Sequence, residues 1–459
     1  METVLRGEGR GLTADDAARL AIETAPGVDR ARAAQRQASA GARRAMIGFI
    51  PQLTLSFRYT RLSEIQNGTL GGGTTFDPDL IPVITAGVDD PDARLLWEQT
   101  LAAQAAQANY TFPVILNQFA LRGSLAYPVS TVFTSIWPTY ESAQANEAAA
   151  EARVAAQARE VGLSARDAFY QYARARGALA VAQSSLQQAE ARHGQVRAFV
   201  EAGTSAPVDA LRARAQVAAA SVAVVRAEAG VRVGAVALRT LLHLEAGTQI
   251  AVGEDLLVAL PPIEGNEAQL LERALAQRDD VRAIERLIEA AGHSISAAEG
   301  SRYPTVALQA NLDYANPNSR VFPQTESFRE SWDVSAVLTW SPHDLLNGEA
   351  QADEARAQRD QVRADLRQLR DAVRLAVTNA SATHHAATEA RAAARIGVEA
   401  ADESYRVTME RYNAGAATVS DTIDASAEQV RAQLDLVNAA IDARVAHAQL
   451  RRALGASER

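Results

Sequence analysis

Four segments of the chain alternate apolar and polar residues with a period of two, the pattern of strands that bury one face. The second segment is the weakest, and Pro128 marks its end. Strands of about 9–11 residues with one apolar face are typical of a membrane β-barrel, although a half-buried sheet in a soluble sandwich has the same pattern. The apolar positions are Leu53, Leu55, Phe57 and Tyr59; Leu121, Gly123, Leu125, Tyr127 and Val129; Val306, Leu308, Ala310, Leu312 and Tyr314; and Trp332, Val334, Ala336, Leu338 and Trp340.

The aromatic residues are concentrated around these strands. All four Trp and eighteen of the twenty-four aromatic residues lie between Phe49 and Tyr140 or between Tyr303 and Trp340. Because aromatic rings gather at membrane–water interfaces, this distribution favours the membrane barrel over the soluble sandwich. The predicted interfacial aromatics are Tyr59, Tyr127, Tyr314, Trp332 and Trp340.

Long proline-free segments predict helices, because a proline inside a helix costs about 3 kcal/mol. A helix over residues 139–201 would be about 95 Å long, and helices over 13–46, 209–243, 266–299 and 421–454 would each be about 50 Å long. Two short helices placed end to end would match one long helix, as in the wall of a tube. Residues 343–459 also lack proline, and apolar residues at helical spacing mark a packed side there: Val362, Leu366, Leu369, Val373, Ala376 and Ala380.

Two halves of the chain repeat one order of elements: a helix, a strand pair, a long helix, a turn and a shorter helix. Pro304 lies 253 positions after Pro51, whereas Gly415 lies 212 positions after Gly203. The first half therefore carries about forty extra residues within its strand pair. These fall within residues 63–120, whose glycines and prolines predict a long loop.

Four strands cannot close around a lumen, and an open sheet edge in lipid leaves unpaired backbone groups at a cost of several kcal/mol each. Copies of the chain must therefore close the barrel. Three copies give twelve strands and a tube of twelve helices with the short helices stacked. Two copies would give a barrel of eight strands. Side chains fill the interior of a barrel of that size, so it would leave no duct.

Composition narrows the function further. The 459 residues carry a formal net charge of −9, which argues against a nucleic-acid partner because phosphate binding needs a positive field. Cysteine is absent, which removes thiolate metal sites and disulfides. The N-terminal residues lack the basic and apolar regions of a secretory signal, so we expect no signal peptide in this chain.

No catalytic motif supports an enzyme. The seven histidines lack HExxH spacing, and GxSxG, P-loop and GxGxxG motifs do not occur. We therefore expect no enzymatic activity, no bound metal and no cofactor.

The order and spacing of these features resemble the TolC-like outer membrane efflux family over about residues 12–455. The resemblance is carried by Leu12-Thr13 through Pro51-Gln52-Leu53, by the turn Tyr412-Asn413-Ala414-Gly415 with Asp421 and Asp424, and by the duplicated architecture. It implies a mainly α-helical chain with four transmembrane strands plus long and stacked short coiled-coil helices. A homotrimer would then form a 12-stranded barrel in outer membrane lipid and an α-helical barrel in the periplasm. The implied partners are a periplasmic adaptor protein and an inner-membrane transporter.

On this basis the chain divides into seven segments. They are 1–50, the N-terminal segment and first helix of repeat 1; 51–138, the first β-hairpin with its long extracellular loop; 139–243, the periplasmic helical hairpin of repeat 1; 244–265, the inter-repeat equatorial linker; 266–303, the first helix of repeat 2; 304–342, the second β-hairpin; and 343–459, the periplasmic helical hairpin of repeat 2 and the C-terminus.

The resemblance also places the two helix turns at a periplasmic gate. Asp421 and Asp424 would form rings of three carboxylates, Asp209 holds the matching place in the first half, and Tyr412 would help to pin the entrance closed. Such rings attract cations and repel anions. The turn tips available for adaptor docking are Gly203, Thr204, Gly415 and Ala416.

A simpler role for these carboxylates is to cap or charge-complement a helix N-terminus, worth about 0.3–1 kcal/mol. We favour this role for Asp209 and the gate for Asp424, while Asp421 suits both. Some relatives carry a basic residue two positions after the turn glycine, where this chain has Ala417. A salt bridge at that position therefore cannot close this entrance.

Within the export interpretation, the preferred function is the exit duct of a tripartite efflux pump for drugs or other small molecules. The alternatives are the outer-membrane duct of a type I protein secretion system and a soluble periplasmic coiled-coil structural or adaptor protein. The soluble alternative explains the helices but leaves the four alternating strands without a role.

The carboxylate rings can be tested by removing them. Combining Asp421→Ala with Asp424→Ala should reduce cation selectivity in planar bilayers, because the fixed negative charge of the entrance is lost. Unchanged selectivity, together with unchanged block by multivalent cations, would exclude these residues from the gate.

Overall fold

The computed structural model describes residues 11–64, 77–108 and 115–456, most of which are helical. The helices are α1 Ala14–Thr24, α2 Pro26–Ile47, α3 Ile81–Thr85, α4 Pro91–Ala108, α5 Trp137–Glu201, α6 Pro207–Leu241, α7 Glu267–Gln277, α8 Asp279–Gly300, α9 Pro342–Asn413 and α10 Val419–Ala453. The strands are β1 Gln52–Arg61, β2 Asn117–Tyr127, β3 Thr305–Asn316 and β4 Arg329–Thr339. No helix in the described ranges combines the length and the hydropathy that a membrane crossing requires.

The chain forms two compact units. One comprises residues up to 43, 140–294 and 354 onward, and it holds most of the helices. The other comprises residues 44–139 and 295–353 and contains the four strands.

The predicted single helices over residues 13–46 and 266–299 are wrong, because each is two helices. Pro26 has no backbone N–H to continue α1, so Ala25 turns to an extended conformation and α2 begins after it. Arg278 is also extended, and its guanidinium binds the Asp280 carboxylate. Ala25 and Arg278 are 253 positions apart, so the break belongs to the repeat.

The helix starts follow the same repeat. Thr13 caps α1 and Asn266 caps α7, and each completes a capping box with the residue three positions later. A capping box satisfies two backbone donors at a helix start. Equivalent local chemistry therefore fixes equivalent helices in the two halves.

The core of the helical unit contains one cluster that joins residues of both halves and another that is built from the second half. Phe169, Leu238 and Ile441 are fully buried in the first cluster. In the second, Val373 and Val377 of α9 pack with residues of α7 and α10. The side of α9 that the apolar spacing predicts to be packed, which includes Val373, is therefore the side that lies in this cluster.

The inter-repeat segment is held by a buried arginine. Arg444 of α10 donates to the Glu254 carboxylate, to the Asp255 carbonyl and to the Val258 carbonyl. The hydroxyl of Tyr170 donates to the same Glu254 carboxylate at 3.3 Å. Since an ion pair buried in this way is costly to break, it fixes the segment against both halves.

The four strands form one antiparallel sheet in the order β1-β2-β3-β4. The register aligns the alternation of all four strands, so that apolar positions share one face and polar positions share the other. One apolar row is Leu53, Leu125, Ala310 and Val334, and one polar row is Ser56, Arg122, Asp313 and Ser331.

Two details of the strand unit differ from the sequence predictions. The stretch 63–120 is not a continuous loop, because it contains α3 and α4. Pro91 stands at the first position of α4, where its missing N–H costs nothing, and no proline or glycine follows it in that helix. Val129 lies in a helical turn after β2 rather than in the strand, since Pro128 cannot extend the ladder.

Acid should weaken the helical unit through His447. Burial and the neighbouring His384 lower the pKa of His447 to about 4. The folded chain therefore favours the neutral ring, and this contribution to stability is complete above pH 6.5 and is lost as the pH falls toward 4. The loss should reach about 2–3 kcal/mol per chain.

Melting temperatures of the wild type and of His447→Gln between pH 7 and pH 4 would measure this effect. The variant should show a shallower fall with acid, whereas His343→Gln, a change at an exposed histidine, should keep the wild-type slope. Equal slopes for all three proteins would contradict the assignment.

Candidate functional site at the helix turns

The two helical hairpins end in turns of the same geometry. Gly203 and Gly415 have φ values of 74° and 75°, a left-handed conformation that glycine adopts without strain. The amide of Thr204 donates to the Phe199 carbonyl at 2.9 Å, and the amide of Ala416 donates to the Arg411 carbonyl at 2.8 Å. These are the bonds of a Schellman motif, which ends a helix sharply. The sequence therefore makes both tips short and compact.

The second turn contains a complete capping box. Thr418 caps α10, and the Asp421 carboxylate accepts from the Thr418 amide at 2.7 Å and from its hydroxyl at 2.8 Å. These hydrogen bonds lower the pKa of Asp421. Asp421 thus has the capping function, and its exposed carboxylate is held in the ionised form.

The first turn is built differently. Ala206 precedes α6 and offers no capping side chain. Asp209 accepts a hydrogen bond from the Ser205 hydroxyl at 3.1 Å and lies 3.7 Å from the Arg212 guanidinium. Asp209 therefore complements the charge of the helix start without capping it.

Asp424 lies on the exposed side of α10, three positions after Asp421. Residues three apart in a helix share a face. The two carboxylates consequently present negative charge on one side of the second hairpin, and their role in a gate remains a prediction.

A small cluster packs the two turns against each other. Val196 of α5, Ala213 of α6 and Val419 of α10 are buried with Tyr412 of α9. The Tyr412 ring lies 6.0 Å from the ring of Phe199. Burial and the charge of Asp209 raise the pKa of Tyr412, so its hydroxyl stays protonated. Tyr412 and Asp209, both predicted as gate residues, are thus brought close together.

Arg192 joins the two hairpins and was not predicted from the sequence. Its side chain, on α5, is only 4% exposed. It donates to the Thr422 carbonyl of α10 at 2.9 Å and to the Tyr405 hydroxyl of α9 at 2.6 Å, and its guanidinium lies over the Tyr405 ring. The repeat gives no signal for it, because the matching position in the second half is Ser404.

Two exposed contacts supplement this buried one. The Gln195 amide donates to the Asn413 side-chain oxygen at 2.7 Å, and Arg212 reaches the Ser420 hydroxyl at 3.5 Å. All of these contacts connect the hairpin of the first half to that of the second. This chain therefore has polar links between its two hairpins although Ala417 stands where some relatives carry a basic residue.

Four of the five predicted interfacial aromatics lie near the two ends of the sheet. At the end nearest the β1–β2 connection, Tyr59 packs against Phe119, and Tyr314 stacks on Phe328 at 5.2 Å. Tyr127 ends β2 at the opposite end, where Trp340 directly follows β4. Trp332 lies further inside the sheet, opposite Leu312.

Comparison with known sequences matches the second half of the chain. A sequence model of the outer membrane efflux protein family matches residues 270–456. The outer membrane efflux protein BepC of Brucella suis biovar 1 is 28% identical over 191 residues, which are 41% of this chain and 41% of the relative. The chain thus matches less than half the length of this curated relative.

Comparison with solved structures covers nearly the whole chain. The open-state outer membrane channel MtrE of Neisseria gonorrhoeae has a TM-score of 0.73 at 18% identity, over 96% of this chain and 89% of that one. The outer membrane channel CmeC of Campylobacter jejuni has a TM-score of 0.72 at 13% identity, over 98% and 86%. The outer membrane protein VceC of Vibrio cholerae has a TM-score of 0.71 at 17% identity, over 97% of both chains.

At these identities the structures show the fold, and the sequence match adds the family over the second half. Residues 270–456 thus match the outer membrane efflux protein family, and over nearly its whole length the chain has the fold of the outer membrane proteins MtrE, CmeC and VceC.

Proposed function

We propose that this protein is a homotrimeric outer-membrane duct, the exit of a tripartite pump that exports drugs or other small molecules. A periplasmic adaptor protein and an inner-membrane transporter would complete the pump. The observation that carries the proposal is a sheet with one exposed apolar face and one polar face.

The apolar face of the sheet is suited to lipid. Leu55 and Trp332 are each 72% exposed, and Phe57 is 70% exposed. Water would make such a continuous apolar surface costly, whereas the hydrocarbon of a bilayer would not. The strands have 10 to 12 residues, which is about the length that spans a bilayer when tilted.

The two outer strands of the sheet require partners. β1 and β4 are the edges among the described strands, and unpaired backbone groups are costly in lipid. Three copies pair every edge and enclose a twelve-stranded barrel whose lining is the polar face. The row of Arg122, Asp313 and their neighbours would then face water.

The helix turns supply an entrance that can be closed. Arg192 and the buried Tyr412 hold the two hairpins together within one chain, and separation of the hairpins would open the tube. The exposed Asp421 and Asp424 would contribute three carboxylates each to the opening. These rings favour cations by electrostatics.

The turn tips are also suited to adaptor docking. Gly203, Thr204, Gly415 and Ala416 are small, so a partner's helices could approach the backbone of both turns closely. Two tips per chain would present six similar sites in the trimer. The interfacial rings, Tyr59 and Tyr314 at one end and Tyr127 and Trp340 at the other, would hold the barrel in the bilayer.

The trimer and its channel can be tested together. Protein purified in detergent should have a protein mass of three 48.9 kDa chains, and it should give stepwise ion currents in a planar bilayer. A folded monomer that is stable in plain buffer would overturn the proposal and favour a soluble coiled-coil protein. Export of a small-molecule dye, but of no protein, by cells that contain a complete pump would distinguish efflux from type I secretion.

The entrance can be tested with Arg192→Met, which removes both hydrogen bonds and keeps the apolar stem of the side chain. Hydrogen bonds to a charged group contribute about 1.5–3 kcal/mol each, so the ratio of open to closed entrances should rise at least about tenfold. Single-channel recording would show this as a higher open probability.

Arg197→Met is the matched control, because Arg197 lies on the same helix, is exposed and pairs only with Glu201 in the described region. It should leave the currents unchanged. A normal trimer of Arg192→Met with wild-type currents would contradict the role of Arg192.

A further inference from the structure

The insertion in the first hairpin carries an apolar surface that the duct does not require. It extends from the paired end of β1 and β2, where the Leu62 amide donates to the Leu116 carbonyl at 2.8 Å. Its helices α3 and α4 are joined by the Thr85 hydroxyl, which donates to the Glu98 carboxylate at 3.0 Å. Ile81 and Thr85 are buried between them, so the pair is an ordered structure.

The outward side of this helix pair is apolar. Leu96 and Trp97 of α4 are 64% and 58% exposed, and Val83 of α3 is 69% exposed. A shallow groove of about 380 Å³ runs along α4 and is open to a ligand. Its lining residues are Leu96, Trp97, Thr100, Leu101 and Gln104.

The charge around this surface is strongly negative. Residues 77–108 contain six acidic residues and one basic residue, Arg94, which pairs with Glu98. Asp79 lies one turn before Val83, and Asp92 lies one turn before Leu96, so carboxylates adjoin the apolar positions on both helices.

We propose that this acidic apolar surface, formed by α3 and α4, binds a cationic amphipathic helix of another molecule. Leucine-like side chains of such a helix would occupy the groove beside Trp97, and its lysines or arginines would pair with the surrounding aspartates. Trp97 would be the main anchor, because large aromatic rings contribute most to such contacts.

The same negative charge disfavours two other partners, a second copy of the insertion and an anionic lipid surface. Three copies of the insertion would each bring five net negative charges and repel one another. An anionic lipid surface would also be repelled, since helices that lie on such membranes are typically basic. The location of this surface outside the cell rests on the proposed duct function, whereas the binding of the cationic helix does not.

The probe is a synthetic 18-residue helix with leucines on one face and lysines on the other, labelled for fluorescence anisotropy. It should bind the trimer in zwitterionic nanodiscs, and a peptide with glutamates in place of the lysines should not. Raising the salt from about 0.05 M to about 0.5 M should weaken binding, because the screening length falls.

Two sets of variants test the surface. Leu96→Gln with Trp97→Gln, and separately Asp79→Asn with Asp90→Asn and Asp92→Asn, should each weaken binding at least about tenfold. The control neutralises the same number of exposed carboxylates on α9, through Asp365→Asn, Asp371→Asn and Glu399→Gln, and should bind like the wild type. Trimer mass and bilayer currents measured on the same preparations separate this result from the duct function.

Three outcomes would overturn the proposal. Equal weakening by the control would show that net charge alone attracts the peptide. If the wild-type trimers associate with one another, and the Leu96→Gln, Trp97→Gln double variant does not, the occupant is a second copy of the protein. A blue-shifted Trp97 emission in nanodiscs without peptide, read against Trp97→Phe, would show that lipid covers the surface.

Discussion

The structure depends on one constraint, the pairing of backbone groups at the two edges of an amphipathic sheet. The register aligns four strands so that one face is apolar throughout and the other is polar. Such a sheet cannot bury its apolar face alone, and the described part of the same unit does not cover Leu55, Phe57 or Trp332. Lipid on one face and further copies of the chain at β1 and β4 would satisfy both needs.

Much of the fold follows from patterns in the sequence because it was built from a repeat. Alternation identifies the strands, and the absence of proline identifies α5, α6, α9 and α10 within a few residues. The break before α2 could have been predicted from the sequence, since Pro26 lacks the backbone N–H that would continue α1. The equivalent break at Arg278 has no proline to mark it. The Arg278 guanidinium pairs with the nearby Asp280 carboxylate and reaches the Ala453 carbonyl of α10, a contact between distant parts of the chain. The prediction of a loop around Pro91 was wrong because proline is common both in loops and at the first position of a helix.

The candidate site was only partly predictable. Turn glycines and nearby carboxylates have local signals, and Asp421 takes the capping role that its spacing from Thr418 indicates. Arg192 has no local signal, since its partners Tyr405 and Thr422 lie more than two hundred positions away in the chain. Because only the first half has an arginine at this position, the contact cannot be inferred from what the two halves share.

The acceptors of Arg192 among the described residues, a carbonyl and a hydroxyl, are both uncharged. Its burial therefore removes the guanidinium from water without a counter-ion in return. When the hairpins part, hydration would compensate for much of the bonding that is lost. The junction would then be specific in geometry, and its opening would expose the guanidinium to water rather than separate two opposite charges.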